Sequence, residues 1–377
     1  MGAVAPIIRV RDANLVDAGG AVHAVVTGLP RAADVVAALD ARGVVASLDS
    51  GRADLIASPQ TLTAAVAEVA DQAAVAGFET VLRDAIAAWS GAPPDLHTAA
   101  GSLPTASRPV VMGVVNVTPD SFSDGGHHLD GSGDPALAIA AARAMLDEGA
   151  DLIDVGGEST RPGADPVPAA EELRRVLPVV SALAADGAIV AIDTIKAEVA
   201  RAAVEAGAVI VNDVSAGSLD PKLWPTVAEL GVPYVLTHIQ GTPQTMQDAP
   251  HYDDVVAEVF ESLTQGLRSL GELGVPPERI VVDPGIGFGK TIEHNLALLR
   301  QIRELTSLGR PVMIGTSRKG FIGRLTGVDD PLDRLAGSLA TASVAVAGGA
   351  RLVRAHDVAD TVRAVTLAHA VAVGPPA

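Results

Sequence analysis

The chain has 377 residues, 48% hydrophobic but only 2% aromatic, with no cysteine and a formal charge of −18. That balance supplies a large aliphatic core and excludes disulfides, thiolate metal sites and cysteine nucleophiles. It also argues against nucleic acid as a partner, since phosphates need a basic surface. The opening residues lack the basic and apolar segments of a secretion signal, and no apolar run reaches the ~18 residues of a membrane span. The expectation is a cytoplasmic protein without a membrane partner.

Residues 1–104 contain no lysine and are rich in Ala, Val and Asp. Apolar runs at 7–10, 22–27 and 44–48 predict short strands. Stretches 31–41 and 61–89 predict helices, the second broken near Gly77. Gly, Pro, Ser and Thr gather at 90–108 and predict a turn-rich linker. A small N-terminal α/β domain over 1–104 follows. It carries no chemical motif: His23 and His97 stand alone in the sequence.

From residue 110 onward, β-branched or apolar runs recur at 110–116, 152–156, 189–193, 209–213, 234–238, 280–283, 312–317 and 352–356. Each closes on, or leads into, polar residues. Ala- and Leu-rich stretches of helical spacing separate them, such as 135–148 and 196–206. This alternation predicts an α/β fold, a (β/α)8 TIM barrel over 105–377, with its chemistry at the C-terminal strand ends.

The first strand ends in Asn116-Val117-Thr118-Pro119-Asp120-Ser121-Phe122-Ser123-Asp124-Gly125-Gly126, a polar loop with a glycine hinge that can close over a ligand. An ordinary Asx- and Ser-rich turn is the plainer reading. The second leads into Gly156-Gly157-Glu158-Ser159-Thr160-Arg161-Pro162-Gly163, where Arg161 offers a planar fork for phosphate or carboxylate, unless Glu158 pairs with it. Asp193, Asn212 and Asp283 end strands three, four and six. Together they make an acceptor-rich wall suited to a heterocycle bearing amino and NH groups. Helix capping would account for one of them but not for all three.

The run 283–291 ends in Gly-Lys-Thr like a phosphate loop, but Pro284 stands where that loop needs glycine. Its glycines instead suggest close approach of backbone to a flat ligand. Ser317-Arg318-Lys319 and Arg354-Ala355-His356 follow strands seven and eight, where barrels commonly bind phosphate. An anionic ligand would need such a cationic cluster against the overall negative field. The nine histidines show no zinc-binding spacing.

Taken in order, these runs resemble the motifs of the dihydropteroate synthase family over about 107–377, with Ile192-Asp193-Thr194, Asn212-Asp213-Val214 and His238 to Met246-Gln247 among them. The resemblance implies condensation of 6-hydroxymethyl-7,8-dihydropterin diphosphate with p-aminobenzoate, giving 7,8-dihydropteroate and diphosphate in folate biosynthesis. The enzyme would be an alkyl (pterinylmethyl) transferase of the class that sulfonamides target. The resemblance further implies Mg2+ held by Asn116, and a pterin site of Asp193, Asn212, Asp283 and Lys319. Thr160, Arg354 and His356 would contact substrate and diphosphate. Loops 118–126 and 159–163, with Phe288 and Ser317, would form the p-aminobenzoate site.

In the implied mechanism Arg161, Arg354 and His356 stabilise the departing diphosphate, and Asp193 and Asp283 favour the cationic methylene. Asp124 holds that cation and takes the released proton. A homodimer is implied as well. Ala216 stands where the family more often has glycine, and Thr237 and Ile239 flank His238 where methionine is usual. Neither change removes a reactive group. Two alternatives fit less well. A pterin-binding methyltransferase domain would not need the 116–126 loop, Arg161 or the cationic cluster. A non-catalytic paralogue would have lost charged site residues that are present here.

Overall fold

The computed structural model describes residues 6–12, 21–29, 31–73, 78–118, 135–159 and 164–374. They divide into two compact units, one of 1–93 with Gln301–Arg310 and one of Pro94–Arg300 with Pro311–Ala377.

The first unit is built on an antiparallel sheet of β1 (Ile7–Asp12), β2 (Val22–Thr27), β3 (Val45–Asp49) and β4 (Arg52–Ala57), in the order β1-β2-β4-β3. The period-2 pattern turns Ile8, Val10, Val22, Ala24, Val26, Ala53 and Leu55 to one face. That face is buried with residues of α1 (Ala32–Asp40), α2 (Pro59–Ala73) and α3 (Phe78–Ser90). The strand β4 was not anticipated. Its alternation is short, and Ser50-Gly51, both at positive φ (46° and 83°), turn it straight back on β3. The helical stretch expected over 61–89, broken near Gly77, is the two helices α2 and α3, and Gly77 itself lies outside the described residues.

The segment Gln301–Arg310 belongs to this unit. Arg9 on β1 donates to Glu304 at 3.3 Å, with side chains only 5% and 2% exposed. Val10 N donates to Ser307 Oγ at 3.4 Å. His23, solitary in the sequence, is a satisfied polar residue: it accepts from Arg11 Nε at 3.0 Å and lies 2.6 Å from Asp54.

The second unit opens with a hairpin, β5 (Leu96–Thr98) and β6 (Gly101–Leu103). Parallel strands follow among the described residues: β7 (Val110–Asn116), β8 (Leu152–Gly156), β9 (Val190–Asp193), β10 (Ile210–Asp213), β11 (Tyr234–Thr237), β12 (Ile280–Asp283), β13 (Met313–Ile314) and β14 (Leu352–Ala355). Their order is β12-β11-β10-β9-β8-β7-β14-β13, and a parallel bridge between Val282 and Val312 joins the two ends into a closed barrel. The connecting helices are α4 (Pro135–Asp147), α5 (Ala169–Ala185), α6 (Ala197–Glu205), α7 (Leu223–Leu230), α8 (Val255–Glu272), α9 (Ile292–Arg300), α10 (Gly320–Thr326), α11 (Leu335–Ala347) and α12 (Val358–Val373). Asp254 starts α8 by accepting from Val256 N and Ala257 N, a cap worth about 1 kcal/mol.

Two departures from the sequence reading matter. The run 90–108 is more than a linker: Leu96 and Leu103 are fully buried in one apolar cluster with Val110, Met112, Leu152 and Leu352. The hairpin thus packs into the barrel interior, and the compact unit begins at Pro94 rather than near 105. Strand seven, expected over 312–317, is a strand only over Met313–Ile314, which pair with β14, while Val312 makes the bridge to Val282. Beyond it the chain turns, Lys319 N bonding Thr316 O, and Ser317 Oγ accepts from His356 N at 3.2 Å. No helix among the described residues is long and apolar enough to cross a membrane.

Candidate active site

Strand register puts Asn116, Gly156, Asp193 and Asn212 in one row across β7, β8, β9 and β10. A side chain on Gly156 would begin 3.4 Å from Asn116 Oδ1 and 3.5 Å from Asp193 Cβ, so the glycine keeps the space between them open. Two residues below it, Asp154 is wholly buried. Its Oδ2 accepts from Asn212 Nδ2 at 2.9 Å and from Arg354 Nε at 2.6 Å. Arg354 also donates through Nη2 to Asp193 at 2.7 Å. Asp154 escaped the sequence reading, although a carboxylate inside the apolar run Leu152-Ile153-Asp154-Val155 was the available signal.

The electrostatics follow from burial. Asp193 is pushed up to about 7 by desolvation, against the pull of Arg354 and with the help of Asp154. Asp283 on β12 is raised for the same reason while Lys319 opposes the shift, and its Oδ1 accepts from Gly285 N at 2.6 Å. Lys319 is lowered to about 8 by burial, against the attraction of Asp283. Among the described residues Asp154 Oδ1 and Asn212 Oδ1 are buried without a hydrogen-bond partner. Buried acceptors are nearly always satisfied, so both call for a donor beyond these side chains.

The glycines of 285–289 also let the loop pack against the protein itself. Gly285, Gly287 and Gly289 take φ of 68°, 85° and 63°. A Cβ would lie 1.9 Å from His238 O at Gly285 and 2.3 Å from Gln240 O at Gly289. At these two positions the close approach is to the protein's own backbone, and at Gly287 it is to the Lys319 side chain. Above this loop the Lys319 ammonium sits 4.5 Å from the centre of the Phe288 ring and bonds Ile286 O.

The cationic cluster is smaller than the sequence suggested. Arg318, at φ 58°, is committed to Asp357 through Nη2 at 2.6 Å and Nε at 3.2 Å. Lys196 is held by Glu158 and Glu172. Lys319, Arg354 and His356 remain at the barrel mouth, with His356 Nδ1 3.0 Å from Ser317 Oγ. Thr160, Arg161, Phe122 and Asp124 lie outside the described residues. Among the described residues no three His, Asp or Glu side chains gather as a metal cluster.

Comparison with known proteins agrees with this geometry. A family model for pterin binding enzymes matches residues 112–356. The dihydropteroate synthase of Escherichia coli K12 is 46% identical over 268 residues, which are 70% of this chain and 92% of that protein. A solved Xanthomonas albilineans dihydropteroate synthase with 4-aminobenzoic acid is 49% identical with a TM-score of 0.69, covering 75% of this chain and 100% of its own. The same enzyme in complex with 7,8-dihydropteroate gives 46% and 0.66, again over 75% and 100%. Likeness of this extent through the barrel makes the chain a member of the dihydropteroate synthases, pterin-binding transferases that move a pterinylmethyl group.

Proposed function

We propose that the barrel joins dihydropterin diphosphate to p-aminobenzoate by a dissociative displacement. The carrying observation is a pair of buried oxygens without a partner among the described residues, Asp154 Oδ1 and Asn212 Oδ1, beside the buried carboxyl group of Asp193. Amino and NH donors of a pterin would satisfy them. The same wall then favours the methylene as it becomes cationic. The C–O bond breaks with both electrons leaving on diphosphate, and the aniline nitrogen, neutral at pH 7, supplies the pair for the new C–N bond. The proton it sheds afterwards is assigned to Asp124. Arg161, His356 and Arg354 face the diphosphate in this reading, Arg354 through Nη1, since Nε and Nη2 are engaged. Positioning and charge do the catalysis, without a covalent enzyme intermediate.

Magnesium fits at Asn116. Its Oδ1 borders the gap kept by Gly156, and one neutral oxygen suffices because Mg2+ takes most of its shell from water and phosphate. Bound there, the ion would supply charge neutralisation for diphosphate. Asn116→Ala should therefore weaken binding of the diphosphate substrate about tenfold, yet barely change binding of the bare pterin alcohol. Calorimetry with both ligands decides it, and equal weakening removes the metal role.

A pH effect follows from Asp193. Burial raises its pKa, so the folded protein holds this proton up to about pH 7. Donors of the ligand need the carboxylate, so binding expels the proton and affinity falls with pH below that value. The limiting slope is about tenfold per pH unit. Titrations from pH 5.5 to 8 should show it for the pterin alcohol, and Asp193→Asn should abolish it. A slope that survives the substitution places the titrating group elsewhere.

The working form we propose is a cytoplasmic homodimer. Val344 on α11 and Leu367 and Val371 on α12 are 55%, 67% and 79% exposed, apolar surface of the kind subunits cover.

A further inference from the structure

Four successive carbonyl oxygens between β12 and α9 each accept a side-chain hydrogen bond. Ile286 O takes Lys319 Nζ, Gly287 O takes Gln247 Nε2 at 2.8 Å, Phe288 O takes Lys290 Nζ at 3.0 Å, and Gly289 O takes Tyr252 OH at 2.9 Å. The amides are tied as well, Gly285 N to Asp283 Oδ1 at 2.6 Å and Gly287 N to Asn295 Oδ1 at 2.7 Å. Three glycines give such a loop much conformational freedom. These bonds remove it.

Lys290 is the costly member of the set. Its side chain is wholly buried, and no carboxylate among the described residues lies within ion-pair distance. Burial brings it down to about 7, against the more distant attraction of Asp283 and with the repulsion of Lys319. Its ammonium also lies 2.9 Å from His238 Nδ1, 3.5 Å from His238 O and 5.9 Å from the centre of the Tyr252 ring, and burial holds the imidazole neutral, with its pKa lowered to about 3. Methionine would fill the same space without desolvating an amine. What lysine alone supplies is the donor that fixes Phe288 O.

We propose that Lys290, with Gln247 and Tyr252, is a positioning residue for the condensation, bracing the loop so that the Phe288 ring and the Lys319 ammonium keep their places at the barrel mouth. It acts through those two residues and touches no substrate itself. The inference rests on the assignment of Phe288 and Lys319 as substrate contacts.

Full-length Lys290→Met, Gln247→Ala and Tyr252→Phe variants test it by steady-state kinetics with both substrates. Misplacement predicts a rise of about tenfold in KM for p-aminobenzoate in Lys290→Met, with kcat changed by less than about threefold. Each of the other two, losing one neutral hydrogen bond, should raise that KM about threefold. A merely structural loss would lower the active fraction, and so the apparent kcat, at constant KM. Val179→Ala, which trims a buried residue of α5, calibrates that outcome. Tyr252→Phe and Gln247→Ala disturb packing little and decide the matter if Lys290→Met does not fold. Unchanged KM values in the folded variants overturn the proposal. If Phe288→Ala and Lys319→Ala also leave every KM unchanged, the substrate assignment has failed instead.

Discussion

Asp283→Asn and Lys319→Ala should each weaken binding of the pterin alcohol by about ten- to a hundredfold while leaving the barrel folded, the usual cost of losing a charged hydrogen-bond partner. Asparagine keeps an oxygen for Gly285 N, so the turn after β12 survives and only the charge facing Lys319 is lost. Alanine at 319 removes the ammonium from both Asp283 and the Phe288 ring. Stability should move in the opposite direction for Asp283→Asn. A carboxyl raised by burial favours folding when protonated. It costs stability progressively once pH exceeds its unfolded value, and fully above its folded one. The asparagine variant therefore holds or gains thermal stability at pH 8 while losing ligand. Calorimetry and thermal unfolding on the same samples check both. Full affinity in either variant would move the pocket away from β12.

The second large effect concerns where the catalytic unit begins. A chain starting at Pro104 should give little soluble protein, because it lacks Leu96 and Leu103 from the barrel interior. Two buried leucines contribute about 4 kcal/mol, a large share of the ~5–15 kcal/mol that holds a domain together. A chain starting at Pro94 keeps them and should retain turnover. It does, however, bare Ile302 and Leu305, which are 1% and 0% exposed within the other unit. Replacing both with serine in the shorter chain should recover solubility. Equal yields and activities from the 94 and 104 starts would show that the hairpin is dispensable.

The strand ends were legible because most apolar runs stop at a polar residue. Asn116, Asp193, Asn212 and Asp283 were placed at the C-terminal ends of their strands that way. Asp154 was not, since a carboxylate inside a run looks like an interruption until Arg354, two hundred positions away, is seen to bind it. Arg318 has the sequence context of a free cation but is taken by Asp357. The hairpin at 96–103 has strands of three residues, too short for periodicity to register. The glycines after β12 advertise close approach but not to what; the backbone they approach is 238–240. In each of these cases the deciding partner is distant in sequence.

One such distant partner governs the order in which the protein can be made. The first unit needs Gln301–Arg310, and about two hundred residues of barrel separate that segment from Pro93. At ribosomal speeds the interval is on the order of 10–40 s. Throughout it, Arg9 has no Glu304 to bind, and the sheet face bearing Arg9 waits for the residues that bury it. A nascent chain paused anywhere from Pro94 to Arg300 carries an unfinished amino-terminal sheet, a substrate for chaperones. The small unit is first to leave the ribosome, yet it closes only after six of the barrel's eight strands have been synthesised.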